Sequence, residues 1–509
     1  MSTIWVLSLV LFTVAIAAYY PTLFPNETTM ISMAEMLKSP AMVGMMGPVY
    51  GGDTPTVAML FSQEMSIWIY ITVAVMNIFF VNRHTRGDEE LGRLLMFRAL
   101  PVGKFTGAAS VMCSVVVLNG VIAVLSTIFV TAVHMDGSNL NGVFAYTLAI
   151  FGVGMFFAAL TLFLAQLFHT SRGVTGAAFA VMGLSYILRG IGDIQDNALS
   201  FISPLGLGLR TFAFYENNFW CVAVLILESV IITIFAFLIL RIRDHGEGIV
   251  PMRKGRLFAS RFLRSPLGLA WRLTKNSALI WCAAVFVIGA MYGMLFSDIE
   301  EFVGQNEYYE QIISGGVDVA GSMIDNFAAF LFIIMALISV IPVIHIAGKI
   351  HAEEKRGWLE AVLVRGVSRT RMYGSYIFIG ILEAVAVQFC AALGVFAPSK
   401  GLVVFEDMLK ASFAYIPALL FMLGLVVFLV GLLPQLTSLI WVVYGYSAFA
   451  AIFLRLFDLP NWLCRLSPFG NVPQLPAEEF LVTPLLILTI LATVLTALGM
   501  FGFSKRDIK

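Results

Sequence analysis

Apolar runs of about twenty residues, long enough to cross a bilayer as helices, recur from one end of the chain to the other. Separated by polar segments, they lie at 4–24, 57–81, 105–133, 142–168, 174–193, 219–240, 276–297, 326–348, 373–395, 411–433, 435–455 and 480–503. Backbone groups in lipid must be satisfied within the segment, so these runs are helices rather than open strands. Their continuity also excludes a membrane β-barrel, whose strands alternate. The pattern predicts an all-α polytopic membrane protein of about twelve spans. The first run, Ile4 to Tyr20, lacks a basic lead and a small-residue cleavage site, so it reads as a span rather than a signal peptide.

Three short motifs occur twice in the same order. Ile4-Trp5 near the start of the first span returns as Ile280-Trp281 in the seventh. The polar loop after the second span, Glu89-Glu90-Leu91-Gly92, returns after the eighth as Glu354-Lys355-Arg356-Gly357. The run Leu188-Arg189, Asp193, Ser203-Pro204-Leu205-Gly206 returns as Leu454-Arg455, Asp458, Ser467-Pro468-Phe469-Gly470. The chain therefore reads as two six-span halves, 1–240 and 276–509, joined by a basic linker, 241–275. An even number of spans gives both halves the same orientation, related by an axis along the membrane normal. The end of the linker, Ser265 to Leu273, mixes apolar and basic residues. Two readings fit it: an interfacial helix lying on the membrane surface, or a basic linker held by anionic lipid.

Charge distribution sets the orientation. The loops 82–104, 169–173, 241–275, 349–371 and 504–509 carry five, one, nine, six and three Lys and Arg, which is 24 of the 31 in the chain. This excess marks that side, and both termini with it, as cytoplasmic. The net charge is zero, which implies no nucleic-acid partner. The five cysteines are an odd number, mostly lie within spans and form no CxxC, so neither a disulfide framework nor a metal site is expected. No GxxxxGK[ST], HExxH or GxSxG occurs, and nothing points to catalysis within the chain.

The candidate functional residues are polar groups in unusual places. Glu89, Glu90 and Gly92, with Glu353, Glu354 and Gly357, are acidic-plus-glycine turns in otherwise basic loops. Positive-inside bias does not require these acids, and they suit contacts to a cytoplasmic partner through arginine or backbone donors. Arg189 and Asp193 lie at i and i+4, and Arg455 and Asp458 at i and i+3, so each pair shares a helix face. Two roles fit them: a tether from span to outer loop, or a gate. Glu64, Glu228 and Glu383 are lone acids within spans, where ionisable groups are costly and mark substrate or proton contacts. The 24 Met and 43 Phe suit packing and lipid-facing positions, or a permissive apolar pocket.

These residues carry a resemblance. The two-half layout, the Glu/Gly loop after the second span of each half and the Leu-Arg…Asp…Ser-Pro-x-Gly run resemble the permease subunit of an ABC-2-type exporter. More narrowly, they resemble the fused twelve-span permeases described as exporters of polyketide antibiotics. The resemblance implies a multi-pass protein of the bacterial plasma membrane that moves hydrophobic small molecules out of the cell. It implies two copies of a separate cytoplasmic ATPase, which hold the ATP and Mg while this chain binds no cofactor. In such permeases the loop after the second span is a coupling helix, which assigns that role to Glu89, Glu90 and Gly92 and to Glu353, Glu354 and Gly357. Such permeases also begin with an interfacial helix. Residues 265–275 supply one for the second half, and the first half shows none. The rival is a proton-coupled twelve-span multidrug transporter using Glu228 and Glu383. Its loop signature fails here, because Asp88 stands four residues before Gly92 where three are needed.

Overall fold

Several helix starts follow directly from local chemistry. Thr56, Asn139, Thr170, Ser265 and Ser368 each accept, through the side-chain oxygen, the backbone N–H three residues on, the usual N-cap arrangement. In the computed structural model the described residues are 2–24, 26–52, 54–93, 102–244, 246–250, 258–297, 323–399, 401–456, 461–478 and 480–506, and they contain no strand. Eleven helices among them are long and apolar enough to cross a membrane. The remaining expected span, the eleventh in chain order, is the helix Leu439–Leu456, whose described apolar stretch, Leu439–Ala451, is shorter. The chain is a multi-pass membrane protein.

Two units divide the chain, Met1–Gly255 and Arg256–Lys509. In the first, the spans are Ser2–Leu23, Val57–Asn82, Thr106–Val133, Leu140–Leu167, Ser171–Ile194 and Phe219–Ile242. The fourth span is the hub and packs on the second, third, fifth and sixth. The first span packs on the second and third. In the second unit the spans are Pro266–Gly293, Met323–Lys355, Arg369–Phe396, Phe405–Leu432 (with a break at Ala414-Tyr415), Leu439–Leu456 and Val482–Lys505. The tenth span packs on the eighth, ninth and twelfth, and the seventh on the eighth and ninth. The same helix pairs thus meet inside each unit.

One segment departs from the expectation. Residues 266–275 are not a separate interfacial helix but the first turns of the unbroken 28-residue helix Pro266–Gly293. Ser265 caps that helix through Gly268 N–H at 3.0 Å, and Pro266 takes a first-turn position where its missing N–H costs nothing. After Gly268 in the first turn, no glycine or proline interrupts the helix before Gly289, so it continues into the apolar run. Leu188-Arg189 and Asp193 lie in the fifth span as expected. Asp458 and the side chain of Arg455 lie outside the described residues, as does most of the outer loop 298–325.

Lipid offers helices no hydrophobic drive to associate, so close packing and polar contacts decide. At Gly431 in the tenth span, an added Cβ would stand 2.0 Å from the Gly499 carbonyl oxygen in the twelfth. The backbones can approach so closely only because neither residue carries a side chain. In the first unit, Asn77 and Asn119 exchange amide hydrogen bonds of 2.9 and 3.0 Å between the second and third spans, and both are buried. Asn77→Leu strands the Asn119 amide and should cost about 1 kcal/mol. The double change Asn77→Leu with Asn119→Leu should melt above the single variant in detergent. A double variant less stable than Asn77→Leu would refute the pairing.

Candidate functional site

The second span does not stop where its apolar residues do. It continues as helix from Val57 to Glu90, 34 residues, through a widened π-helical turn at Arg83–Gly87. At 1.5 Å per residue that is roughly 51 Å, against a hydrocarbon core of about 30 Å. The eighth span, Ile324–Lys355, is 32 residues long. Each extension ends on a glycine in the left-handed region: Gly92 and Gly357 both have φ +71°. A Cβ there would strain the backbone, which explains why both loops place glycine three residues after their glutamate. After Gly357 a short helix, Trp358–Leu363, follows.

The glutamates do not face solvent. Glu89 has only 6% of its side chain exposed and is held from three directions. Arg86 Nη1 donates to it at 2.8 Å, Arg243 Nη2 donates to both carboxylate oxygens at 2.9 Å, and Gly246 N–H donates at 2.9 Å. Arg86 is itself buried and also donates to the carbonyls of His169, Gly246 and Glu247. Glu354, equally buried, accepts from Arg506, and His351 Nδ1 lies 3.5 Å from it. Arg243 and Arg506 each stand immediately after the last span of their half. The base three residues before the glutamate, Arg86 or His351, completes the set. One further contact is repeated. Lys104 donates to the Arg241 and Arg243 carbonyls at 3.0 Å, and Arg369 donates to the Arg506 carbonyl at 2.6 Å. In each half, a base at the start of the third span therefore caps the end of the last one.

We call this arrangement a clamp, because it ties the projecting second span, the start of the third and the end of the last into one elbow. Its arginines, with Lys104 and Arg369, were not singled out in the sequence; they counted there only toward the positive-inside excess. The signal available was their position, one at the same place in each half. Of the other loop residues, Glu90 is exposed and accepts from Ser171 N–H at 2.7 Å. Glu353 is buried near Tyr376. The exposed residues of the elbows include, besides Glu90, Leu91 and Arg93 in the first half, and Lys355, Arg356, Trp358 and Glu360 in the second.

The chain is similar over its whole length to a multidrug efflux permease. The relative is the multidrug efflux system permease protein Rv1217c of Mycobacterium tuberculosis (strain ATCC 25618 / H37Rv), 29% identical over 526 residues, which cover 99% of this chain and 92% of the relative. A family model described as the C-terminal domain of the multidrug efflux system permease Rv1217c matches residues 263–504.

The remaining predicted residues lie apart from the elbows. Arg189 and Asp193 pair at 3.3 Å with both side chains fully buried. Arg189 also donates to the Gly44 and Met45 carbonyls at 2.7 and 3.1 Å, and Asp193 accepts from Ser200 at 2.6 Å. The pair thus pins the short helix Pro40–Met46 to the fifth span, the geometry of a tether. Nearby, Ser203 caps the helix Pro204–Leu209 and donates to the Ser185 carbonyl at 2.8 Å. Ser467 reaches the Ser447 carbonyl in the same manner at 3.5 Å. Glu64 is buried in the second span and accepts from Tyr20 of the first. Glu383 is buried in the ninth span, and Glu228 is half-buried in the sixth. Glu64 and Glu228 belong to the first unit and Glu383 to the second. No group of three metal-ligating side chains occurs among the described residues.

Breaking a buried ion pair by removing one partner costs roughly 3–5 kcal/mol, because the other charge stays buried. Arg243→Ala should therefore lower the melting temperature in detergent strongly, and adding Glu89→Gln should recover part of the loss. A double variant as unstable as Arg243→Ala would argue that the arginine acts through something other than Glu89. Arg189→Ala removes the donors of the Gly44 and Met45 carbonyls and should speed backbone hydrogen exchange over residues 40–47. Unchanged exchange there would refute the tether.

Proposed function

We propose that this chain is the membrane-spanning permease subunit of an ABC exporter. It moves hydrophobic small molecules of the antibiotic or drug class out of a bacterial cell across the plasma membrane. It is not itself an enzyme: two copies of a separate cytoplasmic ATPase, holding ATP and Mg, dock on the loops 82–104 and 349–371. The observation that carries the reading is the pair of clamped elbows. Each half builds, from a glutamate, an arginine and further bases at equivalent places, a stiff polar projection beyond its apolar span, which is what a docking lever requires. The name of the full-length relative supports the drug-efflux part.

The roles within the loops divide differently from the sequence-based assignment. Glu89 and Glu354 are committed to arginines of their own half, so they hold the elbow in shape. Contact with the ATPase falls to the exposed tips, Leu91 with Arg93 and Trp358 with Glu360. Gly92 and Gly357 make the turn that presents them. Trp358→Ala should reduce co-purification of the ATPase severalfold without moving the melting temperature of the permease. Unchanged capture would exclude this tip as a docking contact.

A second reading is favoured by two buried acids. One carboxylate oxygen each of Glu64 and Glu383 has no hydrogen-bond partner among the described residues, an arrangement suited to proton uptake in a secondary transporter. Energy dependence separates the two readings. Inverted vesicles carrying the chain and its ATPase are offered a hydrophobic fluorescent drug with ATP, with ATP and a catalytically dead ATPase, or with a proton gradient alone. Uptake that needs the live ATPase and survives an uncoupler is the expected result. Uptake that follows the proton gradient without the ATPase would overturn the exporter reading.

A further inference from the structure

The elbow of the first half is also bound to the fifth span. Asn82, Arg86 and Glu90 stand four residues apart along the extended second helix, and all three reach the segment 169–175. The buried Asn82 amide donates to the Ser171 and Thr175 hydroxyls at 2.8 and 2.6 Å. Arg86 donates twice to the His169 carbonyl, at 2.8 and 2.6 Å, and Glu90 accepts the Ser171 N–H. The far end of the same span is bound as well. There Arg189 donates to the Gly44 and Met45 carbonyls, and Tyr186 Oη donates to the Met45 carbonyl at 3.0 Å. Gly190 lies so close that an added Cβ would stand 3.1 Å from the Gly44 carbonyl oxygen. Both carbonyls belong to the short helix Pro40–Met46. Between the two grips no residue from Phe179 to Leu184 is buried. The continuous helix Ser171–Ile194 is thus fastened at its ends by polar contacts and held more loosely in its middle. The second half does not repeat the grip at the elbow. Ala347 and Lys355 stand where Asn82 and Glu90 do when Glu354 is aligned with Glu89, and alanine has no side-chain donor while lysine has no acceptor.

We propose that the fifth span is a connecting rod between the first elbow and the helix Pro40–Met46, with Asn82 and Glu90 as the positioning residues that seat it. From residue 171 to residue 189 the helix runs roughly 27 Å at 1.5 Å per residue. A rigid element carries a displacement from one place to another where it is gripped at both, and this one is. Movement of the elbow shifts the Gly44 and Met45 backbone through Arg189 and Tyr186. Because the second half lacks the side chains of the elbow grip, the two halves transmit unequally. The link goes beyond the exporter reading and stands whether the transporter is driven by ATP or by protons. Such a link is an energetic coupling, and coupling between two places is reciprocal.

The test is hydrogen exchange, read by mass spectrometry on the full-length protein in detergent, with no ATPase or nucleotide present. The double variant Asn82→Ala with Glu90→Ala should speed exchange over 171–175. It should also speed exchange at the far end, over 40–47, by at least about twofold, the low end of such couplings. Exchange at the start of the fourth span, over 140–146, should stay as in the wild type. Reciprocally, Arg189→Ala should speed exchange over 171–175 by a similar factor. Once Arg189→Ala is in place, the elbow changes should have no further effect over 40–47. Glu90 is exposed, so Glu90→Ala alone keeps the fold and should show the same pattern more weakly. Faster exchange over 171–175 with wild-type exchange over 40–47 would overturn the rod and leave a local fastening. Equal acceleration over 140–146 would overturn it as general loosening. Additive effects over 40–47 in the Arg189→Ala background would overturn it too.

Discussion

The architecture of each half depends on one constraint: a carboxylate taken out of water must be matched where it lies. Glu89 and Glu354 sit at the far ends of helices that outrun the bilayer, and each is matched by an arginine that follows the last span of its half. That pairing fixes where the last helix ends relative to the second. The helix-end contacts of Lys104 and Arg369 follow from it, because the carbonyls they bind belong to or flank those same arginines. Removing either charge alone leaves a penalty larger than the pair itself contributes. The clamp is therefore a device of specificity more than of net stability: it makes one arrangement of three chain segments much better than its neighbours.

The remainder of each half is held by weaker and more distributed means. Lipid is as apolar as leucine, so burying leucine against leucine gains little there. The work passes to backbone approach at small residues, as at Gly431 and Gly499, and to isolated polar pairs, as at Asn77 and Asn119. At the end of the first half away from the clamp, Arg189 binds two carbonyls of a short helix while Asp193 balances its charge. Arg189 is thus engaged by partners from two separate segments, the geometry a tether requires.

What could be read from the sequence, and what could not, divides along contact distance. Spans, caps and the left-handed turns depend on neighbours within a few residues, so Ser265, Thr56, Gly92 and Gly357 announce themselves. The clamp depends on residues 154 and 152 positions apart, and no local pattern distinguishes Arg243 from the other basic residues of its linker. The repeat was the usable clue. It aligns Glu89 with Glu354, and the ends of the last spans align Arg243 with Arg506. In 265–275 the mixture of apolar and basic residues left an interfacial helix and a basic linker both open, whereas a strong Ser-Pro start runs on as one continuous helix into the seventh span.

The clamp also bears on how a force at the elbow would reach the spans. The elements common to the two halves are internal: the glutamate, its arginine, the base three residues earlier and the turn glycine. The exposed tips differ, with Leu91 and Arg93 in one half and Trp358, over which Arg356 stacks at 5.1 Å, in the other. A common interior with divergent tips is what results when mechanical connection is required of both halves but surface contact is set separately for each. On the proposed docking, a displacement of the tip would pass to the last span through Arg243 or Arg506 and to the third through Lys104 or Arg369, the residues that bind there. The acids expected to contact a partner are instead paired with arginines of their own half, so under the proposed docking they would be the joint through which such a contact acts.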